Sequence, residues 1–317
     1  MDPLTHALSG MAGSYCLPSV TKRQSLYCII AASLPDIDNF VFLFGEEAYL
    51  LHHRGFCHSF IGGIVLASLL VWIFRIFDKQ IKWFKGFYIA FGLICLHLFL
   101  DVITSYGTQL FLPFSNLRCT IPCVFILDFL FTGILLIGVI WCFFHQKYRK
   151  TIATLCMGFI IIYPGFNKII QLIKLERSKT ALTQASISYH KITVLPALLA
   201  PFNWKIIVER ESTYELYHLP LMANLNPNQA HIYEKADLNR IIDMAPNVRF
   251  IKTFDWFVDY PAAKYQKTNQ NNCITFFDLK FITVIPWFKN LHNFEKMPFK
   301  LRIFLDDEHQ YVSYSFF

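Results

Sequence analysis

Long apolar runs separated by short polar clusters organise the first half of the chain. Residues 59–77, 86–105, 121–144 and 151–173 are dense in Phe, Ile and Leu and nearly free of charge. Each approaches the ~20 apolar residues needed to cross a bilayer, so together they predict four strong membrane spans. Residues 3–18 and 24–34 are shorter apolar segments, the second ended by Pro35. They predict two short N-terminal helices, half-inserted or packed within the protein, with Asp2 and Pro3 as a helix start. Beyond residue 173 the pattern changes. Alternation over Trp204–Glu209 and Tyr214–His218 predicts strands, and residues 234–244 predict a helix. Residues 299–317 predict a hairpin turning at Asp306-Asp307-Glu308-His309. The expected architecture is an α-helical polytopic membrane domain over residues 1–173, followed by a small α+β domain over residues 174–317.

Composition sharpens this division. The chain of 317 residues is 55% hydrophobic and 16% charged, whereas an average soluble domain is about 25% charged. Residues 1–173 hold 12 Lys/Arg and 8 Asp/Glu, and the shorter remainder holds 17 and 14. That remainder is long enough to bury a core of its own. The net charge of +7 is dispersed, with no dense basic tract, so no nucleic-acid partner is expected. Nine cysteines are scattered, mostly within apolar runs. Their spacing marks neither a disulfide framework nor a CxxC zinc site, and Cys57, Cys119 and Cys123 are only a weak soft-metal candidate. Asp2 stands where a signal peptide would carry Lys or Arg. Basic clusters at 75–85 and 145–150, with Lys22 and Arg23, fall on one side, which the positive-inside rule makes cytoplasmic. The N-terminus, residues 52–58, residues 101–120 and the C-terminal domain are then expected on the outer face. The Lys174–Lys179 cluster points the other way.

Five polar clusters fall on that face: Asp2-x3-His6; Asp36-x-Asp38 after Pro35; His52-His53-Arg54-Gly55-Phe56-Cys57-His58-Ser59; His97-x3-Asp101; and Gly107-Thr108 with Arg118. His97 and Asp101, four apart, share one face of a helix. Ionisable groups near a bilayer are costly and face a partner, a metal or water. Imidazoles and carboxylates together suit Zn²⁺, Mn²⁺ or Fe²⁺, and such a metal would lower the pKa of a bound water. Arg54 and Ser59 are candidates for holding an anionic group. Taken singly, each cluster has a plainer role: His6 as a capping or surface residue, Asp36 and Asp38 as turn carboxylates, Asp101 as a partner for Arg118. Asp128, alone in a later span, reads as a structural partner.

The motifs Asp2-Pro-Leu-Thr-His6, Pro35-Asp36-Ile-Asp38, His53-Arg54-Gly55-x2-His58-Ser59 and His97-x3-Asp101-x2-Thr104-x2-Gly107-Thr108 resemble the YdjM-like family over about residues 1–115. That family is described as LexA-regulated, inner-membrane, predicted metal-dependent hydrolases of bacteria. The segments Pro196-x4-Pro201-x2-Trp204 and Phe276–Lys280 are similar to its longer members. Cys57 departs from the Thr commoner in the family.

The resemblance and the clusters lead to one expectation. A divalent metal, zinc before Mn or Fe, is bound by His6, Asp36 or Asp38, His53, His58, His97 and Asp101. Asp36 or Asp38 is a candidate general base. The chain is then a multi-pass protein of the bacterial inner membrane, acting on a phosphoester or lipid-like substrate. The alternative is a non-enzymatic membrane protein whose polar residues form a structural network and whose C-terminal domain binds a partner. A transporter fits less well, because no repeat symmetry is present.

Overall fold

A computed structural model describes residues 1–18, 20–244, 248–267, 272–283, 298–306 and 311–316. The chain forms two compact units. The first holds Met1–Leu43 and His52–Ile169, the second Phe44–Leu51 and Ile170–Phe317.

The first unit is helical. Helix α1 (Pro3–Tyr15) starts where Asp2 accepts the Thr5 amide at 3.0 Å, with Pro3 in the first turn. Helix α2 (Lys22–Ser33) opens on a capping box between Thr21 and Gln24. Pro35, which lacks an amide donor and crowds the residue before it, does not end the segment. The chain tightens instead into a 3₁₀ stretch, Leu34–Phe44. The combined run Lys22–Phe44 is then long and apolar enough to cross a membrane, where one short segment over residues 24–34 was expected. Gly10 lets α1 and α2 approach closely, since a Cβ there would lie 2.5 Å from the Cys28 carbonyl oxygen.

After α3 (Glu46–His52) come α4 (Phe60–Phe77), α5 (Trp83–Val102), α6 (Phe129–Phe144) and α7 (Arg149–Gln184). Among the described residues, four helical stretches qualify by length and composition as membrane spans: Lys22–Phe44, Phe60–Phe77, Trp83–Val102 and Gln146–Gln184. The run 121–144 is shorter as a helix than its apolar sequence suggests. Asp128 caps α6 through the Leu130 and Phe131 amides and accepts the Tyr163 hydroxyl at 2.8 Å. Helix α7 runs past residue 173 to Gln184, because no strong breaker interrupts its charged end. Two apolar clusters hold the unit together. One joins α1, α6 and the first turns of α7 around Phe131 and Ile160. The other joins α2, α4 and α5 around Ala32, Val71 and Ile94.

The second unit is an eight-stranded antiparallel sheet in which each strand pairs with the next. Its strands are β1 (Lys191–Pro196), β2 (Asn203–Glu209), β3 (Thr213–Pro220), β4 (His231–Lys235), β5 (Pro261–Lys267), β6 (Asn272–Asp278), β7 (Leu301–Leu305) and β8 (Tyr311–Phe316). The helices α8 (Leu238–Met244) and α9 (Arg249–Phe257) fall between β4 and β5. The register sets Trp204 opposite Leu219 and Ile303 opposite Tyr314. The expected C-terminal hairpin is present as β7 and β8, while Asp307, Glu308 and His309 of its turn lie outside the described residues. Residues 44–51 join this unit because Glu47 of α3 meets Arg249 and Thr253 of α9, each at 3.1 Å.

Candidate metal centre

Four segments of the helical unit converge on one buried cluster. The first turn of α1 supplies His6, and the 3₁₀ stretch after α2 supplies Asp36. A one-turn 3₁₀ helix at Phe56–His58 supplies His58, and the last turns of α5 supply His97 and Asp101. His6, His58, His97 and Asp101 are fully buried, and Asp36 is half-buried. Two overlapping triads result, His6–Asp36–His97 and His58–His97–Asp101. Within each triad the ligand-type atoms lie within 4.8 Å of one another.

The imidazoles are oriented from behind. His97 Nδ1 lies 2.7 Å from the Ala32 carbonyl, and a carbonyl only accepts, so Nδ1 carries the hydrogen. His58 Nδ1 lies 2.7 Å from Asp38 Oδ2, which sets the same tautomer. Both Nε2 atoms therefore turn into the cluster, where they face each other at 3.0 Å. Two neutral imidazoles in this arrangement would oppose lone pairs, so a proton or a cation has to share the space. Burial lowers the pKa of His58, but its hydrogen bonds to Asp101, Asp36 and Asp38 outweigh that and raise it to about 10. His6 stacks on His97 with ring centroids 3.6 Å apart. Both nitrogens of His6, Oδ2 of Asp36 and Oδ2 of Asp101 are buried without a well-aligned hydrogen bond, although His6 Nε2 lies 3.3 Å from Asp101 Oδ1 and His58 Nε2 lies 3.1 Å from Asp101 Oδ2.

The other sequence candidates take different places. Asp38 lies outside both triads and acts as a hub. Its carboxylate meets His58 Nδ1, His53 Nδ1 at 3.2 Å and the Arg54 amide at 3.0 Å. His53 accordingly faces Asp38, and its ring makes T-shaped contacts with those of Tyr106 and His58. Arg54 is buried and bonds Asp101 Oδ1 at 2.9 Å, and the Met1 amino group also lies against Asp101 Oδ1. Ser59 caps α4, accepting from the Gly62 amide at 2.9 Å and donating to the Phe56 carbonyl at 2.8 Å. Arg118 bonds the Tyr106 carbonyl and not Asp101. All nine cysteines are free thiols.

Sequence reasoning missed two contributors. The Ala32 carbonyl fixes His97, and no side-chain pattern marks a carbonyl in advance. Tyr106 packs against His53, Arg54 and Arg118; its place beside Gly107-Thr108 was the available signal.

Chemically, these atoms form a mixed nitrogen and oxygen donor set aimed inward. Buried polar atoms almost always find partners, and these His and Asp groups are arranged so that they could hold a metal ion. Comparison with known proteins supports the membrane assignment. Residues 1–172 match the family model described as YdjM inner membrane protein. A relative from Bacillus subtilis (strain 168), "Uncharacterized protein YfhP", is 28% identical over 125 residues, which cover 37% of this chain and 38% of that protein. The match thus spans well under half of the relative's length. No solved structure matches. With more than half its length inside the family model, and that half carrying the buried His/Asp cluster, this chain belongs to the YdjM inner membrane protein family.

Proposed function

We propose that this protein is a membrane-bound, metal-dependent hydrolase of a phosphoester, with an acyl ester of a lipid-like substrate as the less favoured alternative. The observation that carries the reading is the pair of Nε2 atoms of His58 and His97 facing each other at 3.0 Å amid atoms of His6, Asp36 and Asp101 that lack a well-aligned hydrogen bond. These five residues would hold the ion, zinc before manganese or iron. When bound, such a metal supplies Lewis-acid polarisation and a water of lowered pKa. The protein's own groups do the rest. Asp38 and the Ala32 carbonyl keep the two imidazoles in the ligating tautomer. Arg54 balances Asp101 and lies where an anionic group would enter. The carboxylate of Asp36, half-buried and with Oδ2 lacking a hydrogen bond, would serve as general base only where it does not ligate the ion. We place the site on the outer face of the inner membrane, from the basic clusters at 75–85 and 145–150, and a bilayer lipid is the natural source of substrate there.

A non-enzymatic structural network is the second reading. It is favoured by the ion pair of Arg54 with Asp101, which already compensates one carboxylate. Elemental analysis of the detergent-purified chain separates the two. One or two equivalents of zinc or manganese in wild type, lost in His97→Ala, is the expected result. No metal in the folded wild type after supplementation would overturn the hydrolase reading.

A further inference from the structure

Next to the triads, three loops are tied into one platform that extends from Arg54 to residues the proposed function does not use. Arg54 holds a left-handed backbone, φ 57°, a conformation that non-glycine residues keep only where the surroundings over-determine it. Here they do. Its amide donates to Asp38 and its carbonyl accepts from the Gln109 amide at 3.0 Å. Its guanidinium reaches Asp101 Oδ1 at 2.9 Å and Thr104 Oγ1 at 3.0 Å. The Arg54 Cζ stands 4.9 Å from the centroid of the Tyr106 ring.

Arg118 comes to the same ring from the loop after α5, with its Cζ at 5.4 Å, and donates to the Tyr106 carbonyl. Gly107, at φ 91°, makes this approach possible: a Cβ there would lie 3.2 Å from Arg118 Nε and 3.3 Å from Nη2. The next residue, Thr108, pairs through its backbone with Cys119, the neighbour of Arg118, at 3.0 and 2.8 Å. Its hydroxyl is fully buried and has no hydrogen-bond partner. A buried hydroxyl left unbonded is costly and needs a partner.

Two guanidiniums thus pack on the Tyr106 ring, Thr108 two residues on carries a buried hydroxyl without a hydrogen bond, and Arg54 ties this segment to Asp101 of the candidate ligand set. Guanidinium forks match the oxygens of a phosphoryl group in geometry and charge. A neutral acyl ester offers them no charge. We propose that Arg54, Arg118 and Thr108 form the phosphoryl-binding end of this site, so that its substrate is a phosphate monoester or diester. The inference rests on the hydrolase reading for the reaction and on these loops alone for the specificity.

The test is calorimetric titration of the full chain in detergent with inorganic phosphate and with a short-chain phosphatidate, with zinc content measured on the same samples. Arg118→Gln is the main variant, because Arg118 is only partly buried and is not joined to Asp101. Wild type is expected to bind both probes, and Arg118→Gln to bind both about tenfold or more weakly. Arg118→Lys should recover part of the loss, keeping the charge without the fork. The near-isosteric Thr108→Val should weaken both by about three- to fivefold. Tighter binding of the phosphatidate than of phosphate identifies a lipid source, and equal binding a soluble phosphate. A wild type that binds neither probe, or Arg118→Gln that binds as wild type does, overturns the proposal. Absence of zinc, manganese and iron alike from wild type removes the hydrolase reading alone, since the titrations still report on the arginine pair.

Discussion

The two units each bury a charged cluster, and the two clusters are wired in opposite ways. In the sheet unit, Lys205 is fully buried, and its Nζ donates to the carbonyls of Leu279, Lys280 and Ile282 at 3.0, 2.6 and 2.8 Å. Lys280 pairs with Asp259 at 2.6 Å and Asp278 at 3.2 Å. Both oxygens of Asp278 also take backbone amides, those of Asp259, Tyr260 and Lys280. In the helical unit, the cluster around His97 leaves atoms of His6, Asp36 and Asp101 without a well-aligned hydrogen bond, held only by imidazole–carboxylate approaches of 3.1 and 3.3 Å. A fully satisfied buried network rigidifies a fold. A half-satisfied one costs stability unless something else completes it. Burial of charge is therefore no guide to function by itself; the state of the remaining lone pairs is what separates the clusters.

The sharpest way to break this comparison is to remove one centre from each cluster. His97→Ala should abolish metal retention while leaving the helical content of the protein intact, read by elemental analysis beside circular dichroism. If the variant keeps its metal, the two triads are not the binding site. Lys205→Met should do the reverse. It removes three charge-assisted bonds and orphans their carbonyls, for a loss of roughly 3 kcal/mol in the sheet unit with metal content unchanged. Hydrogen exchange of the β2 and β6 amides measures it, and protection equal to wild type would show that the network holds nothing. Chelation sharpens the same contrast: stripping metal should lower exchange protection in α5 and not in β2.

Asp38→Asn comes next in size. An amide has one acceptor oxygen where the carboxylate serves His58, His53 and the Arg54 amide. Metal affinity should fall by roughly 10–100-fold, less than for His97→Ala, as expected of a group that orients a ligand. Competition against a fluorescent chelator reads this, and a complete loss of metal would promote Asp38 to a ligand. The smallest effect is expected at the surface. Arg249→Ala removes an exposed pair with Glu47 and should cost at most about 1 kcal/mol. A larger change in thermal stability would show that α3 depends on that contact.

Much of the fold was legible in the chain. Apolar runs of about 20 residues announced α4 and α5 closely, because a bilayer demands length and hydrophobicity and little else. Period-two alternation announced β2 and β3 for a similar reason. The misjudged boundaries are those that local rules do not decide. Pro35 was read as the end of the second segment, and α2 does stop at Ser33, but the chain adds a 3₁₀ stretch to Phe44 that the reading did not include. The apolar run from residue 121 was read as helix, yet Asp128 starts α6 eight residues later by capping it. Residues 44–51 were assigned to the membrane half, yet they belong to the sheet unit through Arg249 and Thr253, some two hundred residues away.

The candidate site divides in the same way. The sequence by itself determined which residue types were present in the polar clusters and, through helical spacing, that His97 and Asp101 share a face. Helical periodicity is a local property, so it is readable from a string. Only the tertiary structure decided that His6 would stack on His97, that Asp38 would stand behind His58, and that Ser59 would serve as a helix cap. Those outcomes depend on where four segments far apart in the chain come to rest. Packing of α1, α2, α4 and α5 sets that, through contacts such as Gly10 against Cys28 that carry no chemical signature of the site they create.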